Sequence, residues 1–326
     1  MYKIGNIEIN SKIALAPMAG VTSLGYRKFM SQFGIGFSVT EMISDMGLIY
    51  GNKETLSYLK FENSGLPTCV QLFGSSPENM AKAVKIAVSI NPNIDFFDIN
   101  MGCPVPKVTK TGAGSSLLNN PKLCGDIVRA MREVTDKPVT VKIRLGADSK
   151  HITFKKVIKE VTDAGATLVT IHPRTAKEMY GGKPHWDMVA NLRDEMSIPL
   201  LVSGNLFTVE DCVEALKVTH ADGVAIARGG VGNPLLIKNL NHYFNNEESE
   251  SSSLVEQEQY CRELILDLIE EKGEDVAMRV ARGIVTKFFD GFKNSKQLKV
   301  RLSTELNKLE DFDRIISDYN KENLDN

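Results

Sequence analysis

Eight short apolar segments lie between residues 12 and 227 of this chain, and patterns typical of helices separate most of them. Strands and helices that alternate in this order favour a parallel sheet with helices packed against it. The predicted strands span residues 12–16, 37–41, 68–72, 95–99, 139–143, 168–171, 199–202 and 223–227. The clearest helices are predicted over residues 77–89, 121–133, 154–164 and 209–218.

Two architectures accommodate such repeats. The first is a (β/α)8 TIM barrel, because eight repeats over roughly 235 residues match its usual size of about 250 residues. The alternative is a doubly wound open sheet, whose dinucleotide-binding form carries G-x-G-x-x-G after the first strand. No such motif follows residue 16, and we therefore predict the barrel.

The C-terminal part of the chain has a different composition. Residues 245–253 read Asn-Asn-Glu-Glu-Ser-Glu-Ser-Ser-Ser, which is typical of a polar linker. Beyond it, apolar residues recur at helical spacing, for example at Tyr260, Leu264 and Leu268. We predict a barrel domain over residues 1–244 and a small all-helical domain over residues 245–326.

Composition and cysteine usage argue against several classes of protein. Apolar content of 42% and charged content of 25% are ordinary for a soluble globular protein. No apolar run approaches the ~18 residues of a membrane span, and the first residues contain no hydrophobic signal core. Five widely spaced cysteines without a C-x-x-C pair argue against a disulfide framework and against a zinc site. We expect a cytoplasmic protein without a metal or a membrane partner.

Residues suited to chemistry or binding follow the predicted strands around the whole barrel. The loops after the strands of a TIM barrel meet at one face, where catalysis takes place. Their recurrence therefore predicts one shared pocket. In order along the first six strands, the candidates are Pro17, Met18, Glu41, Gln71, Asn100, Cys103, Lys142, Arg144, His172 and Arg174.

Two glycine turns follow the last two predicted strands. They are Ser203-Gly204-Asn205 and Arg228-Gly229-Gly230. Barrels most often bind phosphate in these two loops, through backbone N–H groups and a helix N-terminus. A glycine in such a turn often serves only to adopt a positive φ angle, so each turn alone is a weak signal. Together they predict a phosphorylated cofactor or substrate.

Cys103 lies three residues after Asn100, in a loop between Gly102 and Pro104. A thiol held at a fixed place in a loop is suited to act as a proton donor or a nucleophile. A free cysteine more often behaves as a small buried hydrophobe. The polar neighbours Asn100 and Lys107 favour the functional interpretation here.

A basic stretch lies within the predicted helical domain, between residues 279 and 301. It contains one acid, Asp290. A solvated helix face is the plainer explanation, and a surface that contacts nucleic-acid phosphates is the functional one. The aromatic residues Phe288, Phe289 and Phe292 are predicted to be core rather than stacking platforms. The basic residues are Arg279, Arg282, Lys287, Lys293, Lys296, Lys299 and Arg301.

Taken together, these motifs resemble those of the tRNA-dihydrouridine synthases, flavin enzymes that reduce uridines in the D-loop of tRNA. The Asn-Met-Gly-Cys-Pro block is highly specific, and the helical tail matches the family's C-terminal tRNA-binding domain in place and size. The general pattern is most similar to the bacterial B-type branch. The resemblance is carried by Ala16-Pro17-Met18-Ala19-Gly20, Asp98-Ile99-Asn100-Met101-Gly102-Cys103-Pro104, Val141-Lys142-Ile143-Arg144, Ile171-His172-Pro173-Arg174-Thr175 and Arg228-Gly229-Gly230.

The resemblance implies an FMN cofactor lying across the barrel mouth. It also implies NADPH as the electron donor, although no nicotinamide motif is visible that would exclude NADH. The implied cofactor contacts are Pro17 and Met18 at the isoalloxazine ring, Gln71 hydrogen-bonded to it, Lys142 at its pyrimidine edge, His172 lining its site, and Gly204, Asn205, Arg228 and Gly229 towards the phosphate.

The resemblance further implies that hydride passes from reduced FMN to C6 of a uracil, while Cys103 gives a proton to C5. Asn100 would anchor the uracil through its amide, and Arg144 and Arg174 would pair with the uracil or its phosphate. The basic stretch would hold tRNA near its D-loop and elbow. We expect a monomer, and the sequence does not identify which D-loop uridines are reduced.

Three other functions are compatible with parts of this pattern. The nearest is a flavin-dependent dehydrogenase of a free pyrimidine, similar to dihydroorotate dehydrogenase, which needs the barrel but no basic tail. A tRNA-binding protein with a vestigial flavin site is the second, but it would not need the set Cys103, Asn100, Lys142 and His172. A phosphate-binding sugar isomerase is the third, and it would bind no flavin.

Overall fold

The strands of the protein form two sheets within residues 1–61 and 65–324. These are the residues that a computed structural model of the chain describes. The first sheet is an antiparallel hairpin of β1 (Tyr2–Ile4) and β2 (Ile7–Ile9). The second contains β3 (Ile13–Leu15), β4 (Phe37–Val39), β5 (Ile43–Ser44), β6 (Thr68–Phe73), β7 (Phe96–Met101), β8 (Val139–Arg144), β9 (Val169–His172), β10 (Leu200–Val202) and β11 (Gly223–Ile226).

The larger sheet closes into a barrel of parallel strands. Around the barrel the order is β4, β3, β11, β10, β9, β8, β7 and β6, and β6 then pairs with β4, with Val39 opposite Cys69. The two-residue strand β5 pairs with β6 beyond the end of β4. The predicted (β/α)8 TIM barrel is therefore confirmed. The open-sheet alternative is wrong, because an open sheet would leave two unpaired edges.

Side chains along the barrel strands alternate between the interior and the outer layer. On β7, Phe96 belongs to an interior cluster, whereas Phe97 and Ile99 belong to the main core under the helices. The hairpin contributes Ile4 and Ile9 to the same interior cluster as Phe96. It therefore covers the amino-terminal end of the barrel, opposite the face where the strand-end residues collect.

Helices lie between most of the barrel strands. Ser76 and Asn120 cap two of them by accepting a backbone N–H from the first turn, as the sequence signals indicate. After β9 the described chain forms two short 3₁₀ segments, Trp186–Val189 and Leu192–Glu195, where an α-helix would complete the repeat. The α-helices are α1 (Leu24–Ser31), α2 (Asp45–Ile49), α3 (Lys53–Ser57), α4 (Pro77–Ile90), α5 (Pro106–Thr109), α6 (Pro121–Arg132), α7 (Phe154–Asp163), α8 (Val209–Thr219) and α9 (Leu235–Asn245).

The chain after residue 253 is helical, as predicted. Phe288 and Phe289 are buried there, which confirms their assignment to the core, while Phe292 is half-buried. The elements are α10 (Leu254–Lys272), α11 (Glu274–Ala281), a 3₁₀ segment at Val285–Phe289, α12 (Ser295–Thr304) and α13 (Leu309–Leu324).

Helix α10 packs directly against α1 of the barrel. The approach is so close that a Cβ atom at Gly25 would lie 2.6 Å from the carbonyl oxygen of Asp267. Phe33 and Tyr260 meet edge to face across the same contact, with ring centroids 5.2 Å apart. One continuous hydrophobic core therefore joins the barrel to the C-terminal helices.

Residues 246–253 form no regular element, but they are attached to helix α9. The backbone N–H of Glu250 donates to Asn239 Oδ1, and Asn239 Nδ2 donates to the carbonyl of Glu250, each at 2.8 Å. This polar segment therefore follows a fixed path over the described structure. Within residues 1–61 and 65–324, no helix is long and apolar enough to cross a membrane.

Candidate active site

A cavity of about 400 Å³ opens at the carboxyl ends of the barrel strands. This volume is within the ~300–1,000 Å³ range of small-molecule sites. The structure therefore brings together residues from all around the barrel, as the strand-end pattern predicts. Of the thirteen cofactor, substrate and catalytic candidates, only Arg174 is not in the wall. The twelve that line it are Pro17, Met18, Gln71, Asn100, Cys103, Lys142, Arg144, His172, Gly204, Asn205, Arg228 and Gly229.

Cys103 is half-buried at the cavity wall, whereas the other four cysteines are buried. Asn100 Oδ1 accepts the backbone N–H groups of Gly102 at 3.2 Å and Cys103 at 2.8 Å, which shapes the turn after β7. The carbonyl of Cys103 accepts the N–H of Ser115 at 3.0 Å. Contacts on both sides therefore hold the thiol in place.

Gly114 allows the next segment to approach the Cys103 loop. Its φ angle is +60°, and a Cβ atom there would lie 2.6 Å from the carbonyl oxygen of Cys103. Only glycine suits both the backbone conformation and the close contact. The position of the thiol thus depends on a residue eleven positions further along the chain.

Asp98 is a buried carboxylate on β7 that the sequence analysis did not assign to the site. It is 4% exposed, and its neighbours in the sheet register are Gln71 on β6 and Thr140 on β8. Burial raises the pKa of Asp98 to about 6, although hydrogen bonds from Thr140 and Gln71 and the charge of Lys142 act in the opposite direction. The sequence signal that could have identified Asp98 is its position as a charged residue within the apolar run 96–99.

The described part of the cavity wall contains cations. Lys142, Arg144 and Arg228 line it, and no Asp or Glu among the described residues does. Burial, followed by the charge of Arg144, lowers the pKa of Lys142 to about 8. Burial also lowers the pKa of Arg144, whose guanidinium donates to the carbonyls of Thr175 at 3.0 Å and Met179 at 2.7 Å. The arrangement suits an anionic ligand.

His172 is neutral in this environment. Burial lowers its pKa to about 2, and the positive charges around it add to the shift. A nitrogen of the Arg174 guanidinium lies 3.0 Å from His172 Nε2, and a guanidinium only donates. Nε2 is therefore the acceptor, and the ring proton is on Nδ1. A Cβ atom at Gly204 would lie 2.6 Å from His172 Cδ2, so glycine is needed beside the ring.

Arg174 is fully buried beneath the cavity wall and does not reach the cavity. Besides His172, its guanidinium donates to the carbonyls of Gly181 at 3.0 Å and Gly182 at 2.6 Å and to Asn205 Oδ1 at 3.1 Å. The predicted contact of Arg174 with a uracil or its phosphate stays a prediction, and in this structure the guanidinium is engaged by protein groups. Arg174 holds together the loops after β9 and β10.

Glu41 also supports the site without lining it. Its carboxylate is buried and accepts the N–H of Gly20 at 2.6 Å, which joins the loop after β3 to the end of β4. Burial raises the pKa of Glu41. The loop that it fixes carries Pro17 and Met18 to the cavity.

Two exposed aromatic residues at the cavity mouth were not singled out from the sequence. Tyr180 is 52% exposed and Phe207 is 43% exposed, and both line the cavity. The guanidinium of Arg228 lies between them, 4.8 Å from the Tyr180 ring centroid and 5.6 Å from that of Phe207. A lone aromatic residue in a loop carries no signal in sequence, because the fold alone decides what lies beside it.

The basic stretch is less positive in the structure than it is in the sequence. Lys299 contacts Asp290 at 2.8 Å, and Arg301 contacts Glu305 at 3.2 Å and Asp318 at 3.0 Å. Arg282 is hydrogen-bonded, and Lys287 lies 3.7 Å from the same Asp290 carboxylate group. Among the described residues, Arg279, Lys293 and Lys296 are the exposed cations of the stretch whose side chains make no hydrogen bond or ion pair.

A family model described as dihydrouridine synthase (Dus) matches residues 14–322 of the chain. The chain belongs to the dihydrouridine synthase family. The matched range includes every predicted site residue and the whole basic stretch. This family assignment confirms the resemblance found in the sequence.

Named relatives in this family share about a third of their residues with the chain. A probable tRNA-dihydrouridine synthase of Rickettsia conorii is 33% identical over 301 residues, which cover 92% of this chain and 90% of the relative. One from Rickettsia bellii is 32% identical, with 98% of each chain covered. A tRNA-dihydrouridine synthase B of Vibrio vulnificus is 34% identical over 244 residues, or 75% of each chain.

Solved structures of more distant proteins share the fold. A variant of NCR from Zymomonas mobilis superposes with a TM-score of 0.54 at 14% identity, covering 78% of this chain and 93% of that one. A 2-naphthoyl-CoA reductase complex gives a TM-score of 0.55 at 11% identity, covering 75% and 51%. At these identities, the structural similarity supports only the barrel fold of this dihydrouridine synthase family member.

In this family member, the described residues contain no group of three or more His, Cys, Asp or Glu side chains placed to hold a metal ion. The nearby carboxylates are both engaged in hydrogen bonds: Asp98 lies on β7, and Glu41 lies in the segment between β4 and β5.

Proposed function

We propose that the chain reduces uridine in the D-loop of tRNA to 5,6-dihydrouridine, with FMN as the bound cofactor and NADPH as the electron donor. The observation that carries the proposal is the cationic cavity, with Cys103 in its wall and no acid among its described residues, in a member of the dihydrouridine synthase family. The relatives named as tRNA-dihydrouridine synthases support tRNA as the substrate.

The residues of the cavity fit FMN by their chemistry. Pro17 and Met18 offer a half-buried apolar surface to a flat ring. Gln71 uses one N–H and one lone pair within the protein, which leaves one of each for a polar ring edge. Arg228 and the glycine turn that includes Gly229 suit a phosphate, and the described residues of the wall include no carboxylate that would repel it. When bound, the flavin supplies the hydride that adds to C6 of the pyrimidine.

Lys142 provides a positive charge at the cavity wall beside the proposed flavin position. An ammonium group beside the pyrimidine edge of a flavin stabilises negative charge on the reduced ring. Its register partner on β7 is Asn100 and its neighbour on β9 is Thr170, so it projects among interior-facing side chains. His172 lines the same site as a neutral Nδ1–H donor.

Cys103 is the proposed proton donor to C5 of the uracil. A thiol carries a transferable proton, and the half-buried position lets a substrate reach it. Arg144 lines the wall on the strand next to β7 and is proposed to pair with the uracil. The amide of Asn100 already contacts Gln71 and the Cys103 loop, so any contact with the uracil would be additional to its positioning of the thiol.

An extruded base suits the mouth of this cavity. Reaching a uracil within folded RNA requires unstacking, which costs a few kcal/mol that protein contacts must offset. The Tyr180 and Phe207 rings offer exposed faces for stacking beside the Arg228 cation. The helical part, residues 245–326, is proposed to hold the tRNA body, with Arg279, Lys293 and Lys296 as its free phosphate contacts.

The substrate class is tested by NADPH oxidation with the FMN-loaded protein. We expect an unmodified tRNA transcript to accelerate NADPH oxidation, and the same transcript with cytidine at every D-loop uridine to have no effect. Free uracil at equal concentration should also have no effect. Equal acceleration by free uracil and by tRNA would favour the free-pyrimidine dehydrogenase instead.

A further inference from the structure

A chain of hydrogen bonds runs from the barrel interior to the backbone of Cys103. Asp98 accepts at both carboxylate oxygens, from Thr140 Oγ1 at 2.6 Å and from Gln71 Nε2 at 2.7 Å. Asn100 Nδ2 donates to Gln71 Oε1 at 2.9 Å. Asn100 Oδ1 then accepts the N–H of Cys103 at 2.8 Å. Three adjacent strands, β6, β7 and β8, supply these groups.

The donors and acceptors permit only one orientation of the two amides. A carboxylate only accepts, so Gln71 must turn its NH₂ group towards Asp98 and its oxygen towards Asn100. Asn100 must then present its own NH₂ group to Gln71. This leaves Asn100 Oδ1 for the backbone N–H of Cys103, which only donates. A reversed amide anywhere in the chain would set donor against donor or acceptor against acceptor.

We propose that Asp98 is a positioning residue, which fixes the Cys103 thiol at the cavity wall through the side chains of Gln71 and Asn100. The inference rests on the proposed function, in which this thiol delivers a proton to the substrate. The same chain orients Gln71 beside the cofactor position. Asp98 itself does not line the active-site cavity, so its effect is exerted through the two amides.

The surroundings of Asp98 keep it an acceptor. Lys142 on β8 is the cation that acts on it, and the Cys69 thiol on β6 is the other titratable group that senses its charge. Phe96 lies below it in the barrel interior. Burial raises the pKa of Asp98 to about 6, whereas the hydrogen bonds from Thr140 and Gln71 and the charge of Lys142 favour the carboxylate.

The chain predicts an unusual pattern among four variants. Asp98→Ala removes the acceptor and frees both amides. In Asp98→Asn, the new amide can still accept from Gln71 if its NH₂ group points towards Thr140. The Thr140 hydroxyl would then accept from that NH₂ group and donate to the carbonyl of Phe97, which lies 3.3 Å away. Thr140→Val alone leaves the carboxylate intact. The double variant combines Asp98→Asn with Thr140→Val. It has no hydroxyl to orient the new amide, so in part of the molecules Gln71 faces an NH₂ group instead of an acceptor.

Turnover on tRNA is the first readout. We expect Asp98→Ala to lower kcat by one to two orders of magnitude, on the order of the ~10²-fold cost of a 1 Å misplacement, with KM for tRNA unchanged. Asp98→Asn and Thr140→Val should each remain within a few-fold of the parent, and the double variant should fall towards Asp98→Ala. Thr170→Val, a matched buried substitution on β9, controls for the change of threonine to valine.

Alkylation of Cys103 by iodoacetamide in the cofactor-free protein is the second readout, and it does not depend on activity. The other four cysteines are buried, so labelling reports on this thiol. We expect labelling several-fold faster in Asp98→Ala and in the double variant, at a temperature where both variants remain folded. The proposal would be overturned if both Asp98→Ala and the double variant had the labelling rate and the kcat of the parent protein. A parent protein inactive on tRNA would instead contradict the proposed function, and labelling would still decide the role of Asp98.

Discussion

At the residue scale, the cavity combines several cations with one neutral imidazole. Lys142, Arg144, Arg174 and Arg228 all act to lower the pKa of His172, after burial itself. Because the imidazole carries no charge, it adds a hydrogen-bond donor at Nδ1 without adding to the repulsion among the cations. Positive charge in the wall is therefore placed on side chains that a phosphate or an anionic ring can neutralise.

Removing the proposed proton donor should abolish turnover and leave binding intact. We expect Cys103→Ala to lower kcat by roughly 10²–10⁴-fold, the usual contribution of general acid catalysis, with little change in FMN or tRNA affinity. Cys212→Ala is the matched control, because this buried thiol lies in α8 and does not line the cavity. Steady-state kinetics and flavin fluorescence titration measure both effects. A fully active Cys103→Ala variant would remove the thiol from the mechanism.

The charge of Lys142 should make FMN binding depend on pH. Its pKa is lowered to about 8, so the ammonium is present below pH 8 and is lost as the pH rises through 8. We therefore expect the dissociation constant for FMN to increase above pH 8. Lys142→Gln should bind FMN more weakly at all pH values and show no inflection, whereas the exposed Lys107→Gln should keep the parent profile. An inflection that persists in Lys142→Gln would assign it to another group.

Gly204→Ala should destabilise the protein by more than backbone strain alone would, and it should also disturb the proposed cofactor site. Its φ angle is +118°, and the added methyl group would lie 2.6 Å from the His172 ring. Gly51→Ala is the matched control, since Gly51 has a φ angle of +66° and no atom within 4 Å of the added position. We expect about 1 kcal/mol of destabilisation from Gly51→Ala, and a larger loss together with weaker FMN binding from Gly204→Ala. Equal effects in calorimetry and titration would contradict the proposed contact.

At the element scale, many strand and helix positions could be predicted because the barrel strands are short apolar runs and several of them are followed by a start signal for a helix. The predicted strand over residues 139–143 corresponds to Val139–Arg144, and the predicted helix over residues 121–133 to Pro121–Arg132. The missing helix after β9 could not be predicted. The segment there breaks at Asn191, which adopts a left-handed φ of 52°.

The sequence could predict which residues end the strands, but not their depth in the barrel. Depth is set by the register between neighbouring strands, which depends on closure of the whole sheet. Arg174 lies two positions after His172 and has the same pattern signal as Arg144, yet it is fully buried while Arg144 lines the cavity. Asp98 was missed for the related reason that its partners Gln71 and Thr140 are on other strands.

The paired and unpaired cations of the basic stretch should differ in their effect on tRNA binding. We expect Lys293→Gln with Lys296→Gln to weaken binding and to reduce the slope of log affinity against log salt concentration by about 1–2, since each lost phosphate contact reduces it by about 1. Lys299→Gln should have a smaller effect, because Asp290 already neutralises this residue. Filter binding over a salt series measures the slopes. Equal slopes for parent and double variant would exclude this surface from tRNA binding.

At the scale of the whole molecule, the C-terminal helices are fastened to the barrel. The N–H of Gly25 in α1 donates to the carboxylate of Glu271 in α10 at 2.8 Å, and Phe29 contacts Phe288 with ring centroids 6.1 Å apart. A groove continues from the cavity mouth at Phe207 and Arg228 to Phe292 in the helical part. A substrate that extends along this groove would touch both parts of the molecule while one nucleotide enters the cavity.

The most direct test of the proposed reaction is mass spectrometry of nuclease fragments from an unmodified tRNA incubated with the protein, FMN and NADPH. We expect a gain of two hydrogens on a uridine of the D-loop fragment, absent from the Cys103→Ala reaction. The fragment carrying the gain would also identify the position reduced. Unchanged fragments from a protein that binds FMN and oxidises NADPH would contradict the claim that tRNA uridine is its substrate.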